Sequence, residues 1–208
     1  MNTNLPDELH HRVATLLASG RRQLLGLVGT PGSGKSTVAE GLLAAYPGQV
    51  RVVPMDGYHL ANSELARLGR AGRKGAEDTF DSAGYAALLQ RLRGQAAGET
   101  VYAPEFRREI EEAIAGAIAI DAGTPLIVTE GNYLLLERGA WAGVRPLLDE
   151  AWYVEVDEAR RLERLLARHM RFGRSRESAL AWIAQTDEPN ARLIESTRVR
   201  ADRVVHIA

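Results

Sequence analysis

Residues 29–36 read Gly-Thr-Pro-Gly-Ser-Gly-Lys-Ser and match G-x-x-x-x-G-K-[ST], the pattern of a phosphate-binding loop. The apolar run Gln23-Leu-Leu-Gly-Leu-Val28 before it predicts a buried strand. After it, the helical spacing of Val38, Leu42 and Tyr46 predicts a helix that begins inside the motif. A strand, a glycine turn and a helix N-terminus direct backbone N–H groups at one point, at the positive end of the helix dipole. These flanks favour nucleotide binding over a chance match in a glycine-rich turn.

The residue types of this loop suit a triphosphate. Glycines let the chain curl tightly enough for its amides to approach phosphate oxygens. Lys35 brings a mobile positive charge to the β- and γ-phosphates, and the Ser36 hydroxyl is placed to bind Mg²⁺. We therefore expect ATP and Mg²⁺ as cofactors. The expected nucleotide contacts are Gly29, Thr30, Pro31, Gly32, Ser33, Gly34, Lys35, Ser36 and Thr37.

Composition narrows the class of protein. A chain of 208 residues fits a single domain over residues 1–208, and 45% apolar with 25% charged residues is ordinary for a globular protein. The net charge of −1 argues against a general role on nucleic acids or membrane surfaces. There is no cysteine, which excludes disulfides, thiolate zinc sites and a cysteine nucleophile. No apolar run is long enough to span a membrane and the N-terminus lacks a signal pattern, so we expect a cytoplasmic enzyme.

Lysine is rare in this sequence. Lys35 and Lys74 are the only lysines among 26 Lys and Arg residues. Because arginine supplies the general surface charge, each lysine is a candidate for a specific role. Lys74 is expected either to contact substrate or phosphate, or to be a solvated loop residue.

The predicted elements alternate between strands and helices. Such alternation predicts a parallel sheet with right-handed crossovers, whose ligands bind at the carboxyl ends of the strands. We expect strands at 23–28, 50–55, 126–129, 151–156 and 203–207, and an extended piece at 101–106. We expect helices over 5–17, after the phosphate loop, and over 81–92, 110–120, 158–172, 175–185 and 190–199, with a functional loop region at 57–80.

Acidic residues follow three of the predicted strands. Asp56, Glu130 and Asp157 would meet beside the phosphate loop. Asp56 is the candidate to accept the proton of an acceptor hydroxyl or to hold a metal-bound water. Glu130 occupies the place of a Walker-B carboxylate, with a direct or a water-mediated metal contact. Helix capping or a salt bridge is the alternative for both, and Asp157 is expected to cap the helix after it.

The predicted helix 158–172 carries an arginine stripe beside an apolar one. One face carries Arg161, Arg164, Arg168 and Arg171. Residues 160–176 contain seven arginines and a single acid, Glu163. A solvated face would show more balanced charges. The pattern favours a lid over about 158–178 that places arginines, chiefly Arg164 and Arg168, over ATP phosphates.

Together these motifs resemble the P-loop kinase group that contains uridine kinase, phosphoribulokinase and bacterial pantothenate kinase. Nearly the whole chain shares the resemblance, and the Met-Asp-Gly-Tyr-His and Glu-Gly-Asn-Tyr motifs are its most specific part. Within that group, the chain resembles short bacterial proteins named nucleoside kinase-like, pantothenate kinase-like or "putative fructose transport system kinase". The motifs are residues 29–37, 54–59, 73–81, 103–108 and 130–136, with Arg168-His169.

The resemblance implies a three-layer P-loop NTPase fold, a five-stranded mainly parallel sheet in the order 2-3-1-4-5, and a lid. It implies Lys35, Asp56 and Arg168 as catalytic residues, with Ser36 and Glu130 at Mg²⁺. It places Asp56, Tyr58, His59, Lys74, Arg108, Glu130 and Tyr133 near the acceptor. Arg107 stands where such proteins tend to have an acid, so the resemblance does not carry an acceptor contact over to this position.

Three classes of function compete. The leading one is an ATP-dependent kinase that phosphorylates an alcohol of a small metabolite: a sugar such as fructose, a nucleoside or a pantothenate-like acceptor. A GTPase would need an Asn-Lys-x-Asp segment, which the sequence lacks. A regulatory P-loop protein without turnover is the third, against which the retained Lys35, Asp56 and Glu130 argue. The acceptor is the expected partner, and the chain is expected to be a monomer or a homodimer.

Overall fold

The computed structural model describes residues 5–207, in which strands and helices alternate as the sequence predicts. Short 3-10 turns and one π-helical turn, Ile183–Asp187, join some of these elements. In chain order the elements are α1 (Asp7–Leu17), β1 (Gln23–Val28), α2 (Lys35–Ala45), β2 (Val50–Pro54), α3 (Asn62–Arg67), α4 (Ser82–Arg93), β3 (Thr100–Arg107), β4 (Glu112–Asp121), β5 (Leu126–Gly131), β6 (Glu150–Glu155), α5 (Glu158–Arg171), α6 (Arg176–Trp182), α7 (Glu188–Glu195) and β7 (Arg203–His206). Within residues 5–207, no helix has both the length and the apolar character needed to cross a membrane.

Five strands form one parallel sheet in the spatial order β2-β5-β1-β6-β7. These labels differ from the order expected from the sequence because β3 and β4, which form a separate hairpin, take two of the numbers. Counted alone, the five strands of the sheet follow the order 2-3-1-4-5. The expected α/β fold is confirmed, and the phosphate loop follows the central strand.

Both faces of the sheet are covered, so the chain forms three layers. Strand β1 is buried along its whole length, which explains its unbroken apolar run. Leu25 and Leu27 pack with α1 and α2 on one face, while Leu24 and Val28 pack with α4 and α7 on the other. This packing fixes the carboxyl ends of the strands, where the expected site lies.

The prediction of a helix over residues 110–120 is wrong, because this stretch is strand β4 of an antiparallel hairpin with β3. Ile110, Ile114 and Ile118 are spaced by four, which suits a helix but equally suits one side of a strand. Ile120 is fully buried and continues the period of two. A bulge opposite Pro104, with Gly116 at a φ of 69°, interrupts the alternation that identifies a strand.

Two other expectations were too coarse. The loop region 57–80 contains the short helix α3 and a 3-10 turn at Ala71–Arg73. The helices expected over 175–185 and 190–199 are α6 and α7, which the π-helical turn joins directly. The remaining elements lie within a few residues of their expected bounds.

Candidate active site

The phosphate loop is shaped by glycines with positive φ. Gly32 and Gly34 have φ values of 85° and 94°, which residues with a Cβ rarely adopt. A Cβ on Gly32 would lie 2.8 Å from the carbonyl oxygen of Arg161 and 2.9 Å from Cγ of Leu165, both on α5. Helix α5 therefore packs directly on this loop, and α2 begins at Lys35.

Lys35 is buried beneath its own loop. Its Nζ donates hydrogen bonds to the carbonyl oxygens of Gly29 (2.9 Å) and Thr30 (3.1 Å). Burial lowers the pKa of Lys35 to about 8, although the nearby charges of Glu130 and Asp56 act in the opposite direction. Keeping this buried ammonium charged thus costs free energy, and an anionic ligand at the loop would offset that cost.

Asp56 and Glu130 follow neighbouring strands, as the sequence predicts. Pro54 of β2 pairs with Glu130 of β5, and Asp56 lies two residues beyond, in a 3-10 turn. Oε1 of Glu130 accepts a hydrogen bond of 3.1 Å from the Ser36 hydroxyl. The Glu130 carboxylate is thus hydrogen-bonded to the loop serine, whereas Asp56 lies farther out, beyond the end of the edge strand β2.

The pKa values of the two carboxyl groups move in opposite directions. Burial raises the pKa of Glu130, the charge of Asp56 adds to it, and Lys35 only partly offsets both. Burial also acts to raise the pKa of Asp56, but protonated His59, Arg108 and Lys35 overcome it and lower that pKa below its usual value. Asp56 is therefore the firmly ionised member of the pair.

An arginine and a histidine surround Asp56. Nη2 of Arg108, in the turn of the hairpin, donates to Oδ2 of Asp56 at 3.1 Å. Nδ1 of His59 lies 2.8 Å from the backbone oxygen of Asp56 and 4.0 Å from its Oδ1. The His59 ring packs on Phe80 and Phe106, with centroids 4.0 and 4.6 Å away, and burial lowers its pKa. The structure thus brings Asp56, His59 and Arg108 together.

Lys74 reaches the same neighbourhood from the loop region. Its Nζ donates to Oδ1 of Asn62 (2.6 Å) and to the backbone oxygen of Glu111 in the hairpin turn, and it lies 5.1 Å from the ring centroid of Phe106. Glu111 is the only non-glycine residue of positive φ in the described chain, at 53°. Lys74 therefore fastens the turn that carries Arg108.

The two tyrosines of the expected acceptor set lie deeper. Tyr58 is half-buried and packs edge-on against Tyr85, with centroids 5.5 Å apart. Tyr133 is buried, and its hydroxyl donates to the backbone oxygen of Gly75 at 2.6 Å. Tyr133 thus fixes the loop beside Lys74. Arg107 lies at the surface and pairs with Glu105 at 2.8 Å.

The arginines of α5 fall into different environments. Asp157 caps the helix by accepting from the backbone N–H groups of Ala159 and Arg160, as expected. Arg161 is buried, with Nη2 2.6 Å from Oε1 of Glu188. Arg168 is half-buried within reach of the charges of Asp56 and Glu130, and its guanidinium makes no hydrogen bond or ion pair with the residues described.

Arg164 lies above the N-terminus of α2. A Cβ on Gly34 would be 3.3 Å from its Nη1. Arg164 and Arg168 therefore approach the loop from the same helix. Phe106 and Asp187 also shape this region. Phe106 lies in the 103–108 motif but was assigned no role, and no motif pointed to Asp187, because the partners of both residues are distant along the chain.

Comparisons with known proteins identify the family of this chain. Residues 24–207 match the model of the phosphoribulokinase/uridine kinase family. A Schizosaccharomyces pombe protein named "putative uridine kinase" is 32% identical over 96% of this chain and 89% of its own. An ATP-dependent kinase-like protein of Aspergillus versicolor is 39% identical over 73% of this chain and 92% of its own. The crystal structure of a "putative fructose transport system kinase" from Silicibacter sp. TM1040 has 38% identity and a TM-score of 0.85, covering 95% of this chain and 97% of that one. The chain is a P-loop kinase that belongs to the phosphoribulokinase/uridine kinase family.

Proposed function

We propose that this protein transfers the γ-phosphoryl group of ATP to an alcohol group of a small metabolite, with Asp56 as the base. The acceptor would be a sugar such as fructose, a nucleoside or a pantothenate-like alcohol. One observation carries the proposal: Lys35, Glu130 and Asp56 lie at the carboxyl ends of adjacent strands, in one electrostatically coupled group. A donor site and an acceptor carboxylate thus lie side by side, as an in-line transfer requires.

The donor half consists of the phosphate loop and α5. Backbone N–H groups of residues 29–37, apart from Pro31, which has none, and the Lys35 ammonium would hold the β- and γ-phosphates. Arg168, whose guanidinium has no described partner, would neutralise the charge that develops on the transferred group. Arg164 would contact the phosphates from the same helix.

The oxygen atoms of Ser36 and Glu130 suit Mg²⁺. A hydroxyl and a carboxylate oxygen 3.1 Å apart are both hard ligands, and Mg²⁺ in kinases takes one or two protein oxygens together with substrate phosphates. When bound, the ion would neutralise charge on the β- and γ-phosphates. Glu130 would hold it directly or through water.

Asp56 would act on the acceptor. It would take the proton of the acceptor hydroxyl while that oxygen bonds to the γ-phosphorus and the bond to the β-phosphate oxygen breaks, leaving ADP. Arg108 and His59 would orient the carboxylate, and Lys74, Tyr58 and Tyr133 would shape the acceptor pocket. The lowered pKa of Asp56 keeps it ionised at neutral pH, as a proton acceptor must be.

The test begins with a panel of labelled-ATP reactions on sugars, nucleosides and pantothenate. With the acceptor so found, Asp56→Asn should lower kcat by about a thousandfold, the middle of the usual range for a general base, while binding of an ATP analogue persists. Asp78→Asn is the matched control, an acid of the same loop region that pairs with Arg73 at the surface. Intact turnover in Asp56→Asn would exclude the base assignment. ATP binding without transfer to any acceptor would favour a regulatory P-loop protein.

A further inference from the structure

The last residue of the π-helical turn Ile183–Asp187 and the first residue of α7 are two consecutive acids that contact the arginine-rich helix α5. Nε2 of His169 donates to Oδ2 of Asp187 at 2.8 Å. Nη2 of Arg161 donates to Oε1 of Glu188 at 2.6 Å. One short segment therefore holds α5 at two points.

These two points flank the arginines that face the phosphate loop. Arg161 and His169 are eight residues apart, which is about 12 Å along a helix axis. Arg164 and Arg168 lie between them. Asp187 is 7% exposed and the His169 side chain 15%, so this pair is little screened by solvent. Such a hold restricts both sliding and rotation of α5.

The placement of Asp187 beside Arg168 is informative. Burial and the charge of Arg108 lower the pKa of Arg168. The charges of Asp187, Asp56 and Glu130 act to raise it. Yet Asp187 bonds to the neighbouring His169, and no ion pair joins it to Arg168 in residues 5–207. A direct salt bridge would compete with an anionic ligand for the guanidinium.

We propose that Asp187 is a positioning residue, which through His169 sets the location of Arg168 for the phosphates of ATP. The inference rests on the proposed function, because it requires ATP at the phosphate loop. The π-helical turn contributes to this positioning of Asp187. One extra residue per turn re-aims the chain, and such turns recur at functional sites for this reason.

The experiment is a double-mutant cycle on nucleotide affinity. The probe is adenylyl imidodiphosphate, titrated into the whole chain with Mg²⁺ present. His169→Leu removes the donor to Asp187, His169→Gln keeps a donor near the Nε2 position, and each is made with Arg168 intact and with Arg168→Ala. Glu188→Gln is the control, because it removes the charge from the other contact that holds α5, at Arg161, two turns from His169.

If the His169–Asp187 pair acts through Arg168, His169→Leu should weaken analogue binding about tenfold with Arg168 present and less than twofold in Arg168→Ala. His169→Gln should stay within about threefold of the parent, since it keeps the hydrogen bond. Glu188→Gln should lower Tm and have an effect independent of Arg168. Equal losses in both backgrounds, or no loss in either, would overturn the inference.

Failure of the proposed function would look different. A wild-type protein that transfers phosphate to no acceptor would contradict that function, yet the cycle on analogue binding would still decide the role of the His169–Asp187 pair. With an acceptor in hand, His169→Leu should also lower kcat while the KM of the acceptor changes less than about twofold.

Discussion

The affinity for ATP should fall as pH rises through the pKa of Lys35. This group is 8% exposed, and burial lowers its pKa from 10.5 to about 8 in the free protein. Bound phosphates stabilise the ammonium, so ATP binds the protonated form and proton loss competes with binding. From about pH 7 to about pH 9, the protonated fraction of the free protein falls from roughly nine-tenths to roughly one-tenth. The dissociation constant should therefore rise about tenfold, or about 1.4 kcal/mol.

The same shift has an opposite consequence for stability. Because the folded pKa lies below the unfolded one, burial of the charged amine costs about 3 kcal/mol below pH 8. That cost is relieved as pH rises from about 8 towards 10.5, since the unfolded chain then holds more protons than the folded one. Over this interval the Lys35 contribution to the free energy of unfolding should rise while ATP affinity falls. Few other groups would produce both changes together.

The assay is a calorimetric titration of a non-hydrolysable ATP analogue at several pH values with Mg²⁺ in excess. Lys35→Arg is the control, because a guanidinium stays charged throughout this range. It should bind more weakly at neutral pH but with little pH dependence. A wild-type dissociation constant that changes less than about threefold, or an equal slope in Lys35→Arg, would refute the reasoning.

Three further results are expected. Ser36→Ala should raise the Mg²⁺ concentration needed for half-maximal turnover about tenfold, because one oxygen ligand is lost; an unchanged requirement in a metal titration would contradict this. Lys74→Met should raise the KM of the acceptor about tenfold and leave that of ATP alone, because the turn held at Glu111 loosens. A change in the ATP constant alone would contradict that assignment. Tyr85→Phe should lower the free energy of unfolding in urea by about 1 kcal/mol. The Tyr85 hydroxyl lies 2.5 Å from Oγ1 of buried Thr129, which would lose a hydrogen bond. An unchanged urea midpoint would show that this bond adds nothing to stability.

The position of the phosphate loop in the fold could be predicted because its residues are local in sequence. The glycines, Lys35 and Ser36 lie in one short segment between a strand and a helix, so period and motif suffice. Asp157 is another example, since a cap is decided by its own helix. Asp56 and Glu130 needed one further step, the rule that ligands bind at the carboxyl ends of parallel strands.

The acceptor half depends on contacts between distant segments. The scarcity of lysine made Lys74 a candidate for a specific role, with a solvated loop residue as the alternative, but it could not show that its amine binds the turn at Glu111. The expectation of a helix in place of strand β4 likewise hid a contact between distant segments. Without the hairpin, nothing brings Arg108 to Asp56, 52 residues away along the chain. Helical spacing likewise grouped Arg161 with Arg168, and only packing shows that the first is bound to Glu188.

Which carboxylate serves as base is a question of geometry before pKa. The raised pKa of Glu130 would make it the stronger base of the two. However, Glu130 already accepts a hydrogen bond from Ser36, the hydroxyl expected at the metal, and lies on the strand next to the loop. Asp56 is a weak base, and a loose transfer suits one, because the acceptor hydroxyl needs to lose its proton only late, after the phosphoryl group has begun to move. On the proposed function, its main task would then be to orient the hydroxyl, and the contacts with Arg108 and His59 would hold it for that task.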